Sequence, residues 1–184
     1  MNVYATGGLY EEAEKLFKAM KQDGWLPDSF TYLSLVRAYT ESLKYSEAEK
    51  TINSMQEDGV YPSCSHFNLV LSAFAKMGLI GEAKRAYKEL LAAGLNPDAT
   101  CYGTMLRGFM DYGHVEEGIE FFEKISDSIK ADRFILSAAV HFYKSVGNEL
   151  EAQNILRSMG SMGLSFLENL EVGSKLKSPA MLEN

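Results

Sequence analysis

The sequence predicts an all-α fold: a right-handed α-solenoid (superhelix) of stacked antiparallel helix pairs in 35-residue repeats, and three observations predict it. First, the same residues return at a fixed spacing. Pro27, Pro62 and Pro97 keep it, as do Gly24, Gly59 and Gly94, and Tyr32, Phe67 and Tyr102. Ala13, Ala48 and Ala83 are continued by Gly118 and, one residue early, by Ala152. Second, each block contains apolar triplets at i, i+4 and i+7, the stripe of an amphipathic helix. Third, no alternation of Val, Ile and Thr and no Asn-Gly turn competes for a strand. A period of this length means units that bury their apolar faces only against their neighbours.

The elements follow in order. Residues 1–28 form a partial repeat whose second helix is complete, with the stripe Ala13, Phe17 and Met20 closed at Gly24. Tyr4 falls in register with Tyr39, Phe74, Phe109 and Tyr143 near the end of the first helices. The chain is therefore expected to be a piece of a longer array, with an N-terminal stacking face inclined to self-association. In repeat 29–63, Asp28 opens a first helix over 29–41 carrying Phe30, Leu33, Val36 and Tyr39; Ala48, Ile52 and Met55 stripe the second, which ends at Gly59. In repeat 64–98, Ser63 opens a helix over 64–76 with Phe67, Val70, Leu71 and Phe74. Gly78 turns the chain, and Ala83, Tyr87 and Leu90 lead to Gly94.

Repeat 99–132 begins after Asp98 with a helix over 99–111, carrying Tyr102, Met105, Leu106 and Phe109. It turns at Gly113 and continues through Gly118, Phe122 and Ile125. It is one residue short, and Ser126–Asp132 lacks the Gly and Pro of the other blocks, so its second helix is expected to be shorter or irregular. Repeat 133–167 has Asp132, then a helix over 133–145 with Phe134, Leu136, Val140 and Tyr143, the turn Gly147, and the stripe Ala152, Leu156 and Met159 closed at Gly163. Residues 168–184 read as a tail. Asp and Ser at the helix starts accept from free backbone N–H groups, and Gly at the ends adopts the left-handed cap.

Composition narrows the function. The chain has 184 residues, 46% of them hydrophobic, enough for a packed core. No apolar run approaches the roughly 18 residues of a membrane span, so no membrane partner is expected. The residues after Met1 carry no signal-peptide pattern. Cys64 and Cys101, lacking a CxxC or paired His, read as small core thiols suited to a reducing compartment, and no metal or other cofactor is expected. His66, His114 and His141 are scattered, and no nucleophile–base arrangement appears, so no catalytic residue is assigned and the chain is not expected to be an enzyme. The acidic runs Glu11/Glu12/Glu14 and Glu116/Glu117/Glu120/Glu123 have the spacing of solvated helix faces.

The net charge of −7 taken whole argues against a nucleic-acid partner. Its distribution is different. The four complete first helices hold Arg37, Lys76, Arg107, Arg133 and Lys144 against Glu41 and Asp111, a balance of +3 that leaves −10 on the rest. If the first helices line one concave face, that face is mildly basic on an acidic body.

These residues bear a resemblance. The stretches Phe30-Thr-Tyr-Leu-Ser-Leu-Val36, Gly78-Leu-Ile-Gly-Glu-Ala83 and Gly94-Leu-Asn-Pro-Asp98 resemble the pentatricopeptide repeat, in phase from residue 1 to residue 167. The tetratricopeptide repeat is the neighbouring pattern, but it calls for a Trp in the first helix, and Trp25 lies between blocks. The resemblance, which is to the class of uniform repeats, implies single-stranded RNA as partner, about one base per repeat. It further implies a chloroplast or mitochondrial location and a part in RNA processing, splicing, stabilisation or translation. No His-x-Glu with Pro-Cys-x-x-Cys resembling a deaminase is present.

The resemblance also implies base-selecting pairs. Asn68 with Asp98 corresponds to a uracil-preferring pair; an amide offers both donor and acceptor to a pyrimidine edge. Gly103 with Asp132 offers little contact. Leu33 with Ser63 and Ser137 with Leu167 depart from the family pattern. Phe30 and Phe134 stand where the family stacks bases, and Arg37, Lys76 and Arg107 are the expected phosphate contacts. Two alternatives stay open: the same Asp residues serve as helix caps without any RNA, and the repeat array could hold a protein partner or form a homodimer.

Overall fold

A computed structural model of the chain describes residues 10–126, 129, 132–168 and 170. Among the described residues there are nine α-helices and no strand. They are α1 (Tyr10–Gln22), α2 (Ser29–Glu41), α3 (Tyr45–Glu57), α4 (Cys64–Lys76), α5 (Ile80–Ala92), α6 (Ala99–Asp111), α7 (Val115–Ile125), α8 (Arg133–Ser145) and α9 (Glu149–Ser161). The expectations for Tyr4 and for the tail beyond Leu170 lie outside the described residues. None of the described helices is long and apolar enough to cross a membrane.

The chain divides into two compact units, Met1–Met105 and Leu106–Asn184, parting within α6. In the first, α2 packs against α1, α3 and α4, and α4 packs against α3 and α5. In the second, α8 packs against α7 and α9. A first helix thus sits between neighbours, which explains why it is buried on more than one stripe. Tyr32, Ser34, Leu35, Val36, Ala38, Tyr39 and Thr40 are all buried in α2, whereas Phe30, expected in the apolar set, is 60% exposed. The second helices bury narrower stripes, such as Ala48, Thr51, Ile52 and Met55 of α3.

Caps fix the helix bounds. The side chains of Asp28, Asp98 and Asp132 accept from the backbone N–H of Thr31, Cys101 and Ile135 at 2.8, 2.8 and 2.9 Å, each bond stabilising its helix start by about 1 kcal/mol. Ser63 works differently: His66, buried to 1% exposure, accepts from the Ser63 backbone N–H through Nδ1 at 3.1 Å. Its Nε2 faces the Ser29 carbonyl at 3.1 Å, tying α4 to the start of α2. Burial holds the His66 pKa below the ordinary imidazole range, so the ring is neutral and can accept at Nδ1.

At the other ends, Gly24, Gly59, Gly94 and Gly163 adopt φ of +80°, +72°, +73° and +70°. Trp25, Val60 and Leu164 return N–H bonds to Met20, Met55 and Met159 at 2.8–2.9 Å, the six-to-one closure of a Schellman cap. The helix α7 has 11 residues where the other eight have 13, the shortening expected from the missing residue.

The turns between paired helices use Gly78, Gly113 and Gly147 at φ of 72–75°, but the first complete block places Leu43 there at φ 60°. A left-handed leucine costs roughly 1–2 kcal/mol, partly offset in glycine by its freer unfolded chain. Leu43→Gly is expected to stabilise the first unit by about 0.5–1 kcal/mol, read as a raised midpoint in chemical denaturation; a lowered midpoint would mean that the half-exposed leucine side chain contributes more than its backbone costs.

Candidate nucleic-acid interface

The Asn68–Asp98 pair is assembled across a repeat boundary. The Asn68 amide lies one turn into α4, and Asp98 caps α6, 30 residues later. Nδ2 of Asn68 donates to the two Asp98 carboxylate oxygens at 3.2 and 3.4 Å. Asp98 Oδ1 simultaneously accepts the Cys101 backbone N–H, so one carboxylate starts a helix and orients an amide. The Asn68 carbonyl oxygen is buried without a hydrogen-bond partner. A buried unsatisfied acceptor of this kind costs about 1–3 kcal/mol.

The other pairs differ. Ser137 has the corresponding geometry but is fully buried, and its hydroxyl accepts the Leu167 backbone N–H at 3.1 Å. A hydroxyl so held does not project as a reader. Ser63 is occupied with His66, its hydroxyl 2.9 Å from Nδ1. Leu33 is half-buried on α2 and offers no polar atom; Gly103, on α6, offers no side chain; Asp132 caps α8. The four positions therefore carry one amide–carboxylate pair, that of Asn68.

Phe30 is broadly exposed on α2, whereas Phe134 on α8 is half-buried beneath Arg107, whose guanidinium carbon lies 4.8 Å from the ring centroid. Arg37 and Lys76 line a common cavity of about 350 Å³ between α2 and α4, with Thr40, Glu41, Ser72 and Tyr45. Two cations, a carboxylate and three hydroxyls make that recess polar and anion-tolerant rather than strongly anionophilic. Cys101 is a buried thiol pushed up to about 12 by burial, which keeps it protonated. The half-buried Cys64 donates to the Asn96 carbonyl at 3.1 Å.

The outward faces of the second helices are ion-paired. Arg85 on α5 reaches Glu49 of α3 at 2.9 Å and, on its own helix, Glu82 at 2.5 Å and Glu89 at 4.0 Å. Lys124 meets Glu120 at 2.6 Å one turn away. Glu82, Glu89 and Glu120 are solvated partners at helical spacing, whereas Glu49 is largely buried and joins α3 to α5 through Arg85.

Two features escape the linear reading. The role of His66 is signalled only by its place three residues after Ser63, the spacing at which Glu or Gln closes a capping box. The Arg107–Phe134 stack joins residues 27 positions apart and has no local signature.

Comparison with known proteins places this geometry. A pentatricopeptide repeat domain model matches residues 15–77, and the repeat model of that name matches residues 1–25, 65–95 and 100–128. The crystal structure of the maize pentatricopeptide repeat protein PPR10 is 28% identical, with a TM-score of 0.69 over 88% of this chain and 23% of its own. PPR10 in complex with an 18-nt psaJ RNA element superposes at 0.65, again at 28% identity, covering 88% of this chain and 24% of that one. The repeat domain of Arabidopsis thaliana protein-only RNase P 1, in complex with tRNA, shares the fold at a TM-score of 0.71 and 17% identity, over 91% of this chain and 89% of that one. This chain spans about a quarter of the maize protein's length (23%). No curated protein matches the sequence.

Proposed function

Since the chain belongs to the pentatricopeptide repeat family, we propose that it binds single-stranded RNA and reads uracil through Asn68 and Asp98. The observation that carries the reading is the Asn68–Asp98 hydrogen bond, 3.2 Å long, which holds an amide in one orientation at the boundary of two repeats. In this reading Asp98 positions Asn68, whose side-chain amide is the group that meets a uracil edge. Phe30 offers a free stacking face, which for a base contributes about 1–3 kcal/mol. Arg37 and Lys76 attract the backbone from their shared recess. The pairs at Leu33/Ser63, Gly103/Asp132 and Ser137/Leu167 contribute little base preference. The array serves RNA processing, splicing, stabilisation or translation in a chloroplast or mitochondrion, as a binding module rather than a catalyst.

With only a few net positive charges on the first helices, binding is weak and salt-sensitive. Fluorescence anisotropy with labelled poly-U and poly-A is expected to show U-preferring binding at low salt that falls steeply at moderate salt. The Asn68→Ala/Asp98→Ala variant is expected to lose the preference, a change of about tenfold for a hydrogen-bonded base contact. Equal binding of both RNAs by the wild-type chain would remove Asn68 and Asp98 from recognition.

One observation favours a second reading, a protein-binding scaffold. Trp25, Leu26 and Tyr61, in the loops between repeats, are 70%, 86% and 81% exposed. Large apolar side chains this bare are typical of contact surfaces. Absence of RNA binding even at low salt would leave this reading in place of the first.

A further inference from the structure

We infer that the segment 165–170, which follows α9, is an autoinhibitory strap: it covers the face of α8 that would take RNA, and RNA that binds there must lift it. The inference rests on the RNA-binding reading above. Register shows what the segment covers. The repeat carries Arg37 and Thr40 of α2 onto His141 and Lys144 of α8. Arg37 and Thr40 line the recess of about 350 Å³ that α2 shares with Leu69, Ser72 and Lys76 of α4. On α8 the chain itself lies over the counterpart residues. The Phe166 ring is 5.1 Å from the His141 ring, centroid to centroid, and tilted by 32°. The Lys144 ammonium stands 5.2 Å from the Phe166 centroid.

The hold is polar and is made to the strap's backbone. Arg133 Nε donates to the Ser165 carbonyl at 2.7 Å. Ser137 Oγ accepts the Leu167 N–H at 3.1 Å, and His141 Nε2 lies 3.0 Å from the Leu167 carbonyl. Among the strap's described residues only Leu170 is buried, at 5% exposure. A segment with so little buried apolar surface opens locally at low cost, leaving the packing of α8 on α7 and α9 in place. The strap is also an electrostatic cover. Arg133 and Lys144 are two of the five cations on the complete first helices, and the strap engages both. A lysine drawn onto an aromatic face is less available to a phosphate. The exposed Glu168 adds a negative charge to the same segment.

The strap departs from the repeat at its central residue. Pro62 and Pro97 stand at the place of Phe166 in the earlier blocks, and there the chain passes directly into α4 and α6. Proline has no aromatic face to lay against an imidazole or an ammonium. The ring that covers α8 is therefore a local substitution and not a property of the array.

The test uses the full chain and fluorescein-labelled oligouridine, titrated at several salt concentrations. Phe166→Ala removes the covering ring and is expected to tighten binding about three- to tenfold at low salt. The log–log salt slope is expected to steepen by about 0.7, the share of one added phosphate contact on a single strand. Leu170→Ser loosens the strap without touching α8, and is expected to give a gain of the same sign. Lys144→Ala is expected to cost more affinity in the Phe166→Ala background than in the wild-type chain. Thermal melts confirm that each variant is folded. Hydrogen exchange on the wild-type chain needs no variant: the amides of 165–168 are expected to exchange faster once oligouridine is bound. Four results overturn the inference. They are unchanged affinity in both loosened variants; weaker binding by Phe166→Ala, which would make the ring an RNA contact; equal losses from Lys144→Ala in both backgrounds; and exchange at 165–168 that RNA leaves unchanged or slows. Absence of oligouridine binding by the wild-type chain and by both loosened variants would remove the RNA-binding reading as well, whereas equal binding by all three removes this inference alone.

Discussion

Tyr32→Ala is expected to destabilise the Met1–Met105 unit by about 3–5 kcal/mol, the range for emptying a buried aromatic site. The ring is fully buried and meets Phe17 edge-on, centroids 5.1 Å apart at 70°. Its hydroxyl donates to the Asp58 carboxylate, which also binds Lys21 at 2.5 Å. Two helices and the C-terminal cap of a third, α3, therefore meet at one side chain. The hydrogen bonds from Lys21 and Tyr32 lower the Asp58 pKa, so their contribution is present above the ordinary carboxyl range and is lost as pH falls below it.

The next block shows how to separate ring from hydroxyl. There Phe67 replaces Tyr32 and Ala93 replaces Asp58. Tyr32→Phe alone is expected to cost about 0.5–1.5 kcal/mol. In the Tyr32→Phe/Asp58→Ala double variant the loss should be smaller than the sum of the single losses, because both ends of the bond have gone. Urea denaturation followed by circular dichroism measures both. A loss below about 1 kcal/mol for Tyr32→Ala would show that the ring does not anchor this unit.

Gly118→Ala is the second large effect, and its sign runs against helix propensity. In an open helix the change would gain about 1 kcal/mol. Here an added Cβ would lie 2.5–2.8 Å from three ring carbons of Phe142, itself only 1% exposed. The ring has no solvent to swing into, so overpacking is expected to dominate, for a net loss of about 1–3 kcal/mol in the Leu106–Asn184 unit. The other blocks carry Ala13, Ala48, Ala83 and Ala152 at the position of Gly118, and Ala38, Ala73 and Gly108 at that of Phe142. Gly118 and Phe142 are thus an exchange of size between facing helices. Phe142→Ala placed on Gly118→Ala restores the usual pair and is expected to recover part of the loss, with a coupling above about 1 kcal/mol in a double-mutant cycle. Additive losses would mean that the two side chains do not compete for the same space.

What the sequence made legible was local. Asp caps act on N–H groups three residues away, Gly caps act within one turn, and the stripes of α3 and α5 follow from a helical period; all are written in short windows. Phe30 belongs to the apolar set of its helix and is nevertheless exposed, because periodicity counts apolar residues without knowing which stripe a neighbour covers. Among the candidate readers, the alignment of Asn68 with Asp98 could be read from the repeat, but the occupation of Ser137 by the Leu167 backbone could not. The Arg107–Phe134 stack likewise depends on the approach of two helices. Such features are tertiary, and one sequence records them only through exchanges such as Gly118 for Ala and Phe142 for Ala.

The doubled duty of Asp98 has a consequence for retargeting. A carboxylate that both begins α6 and steadies Asn68 cannot be rewritten for one purpose alone. Only residues that also begin a helix well, chiefly Asp, Asn, Ser and Thr, can stand there without cost. Under the proposed function, the alphabet from which this position spells its base is restricted by folding before any ligand is met. A designer who wants a new letter at this boundary will find the choice already narrowed to a handful of short polar side chains, and will do better to vary Asn68, which caps nothing.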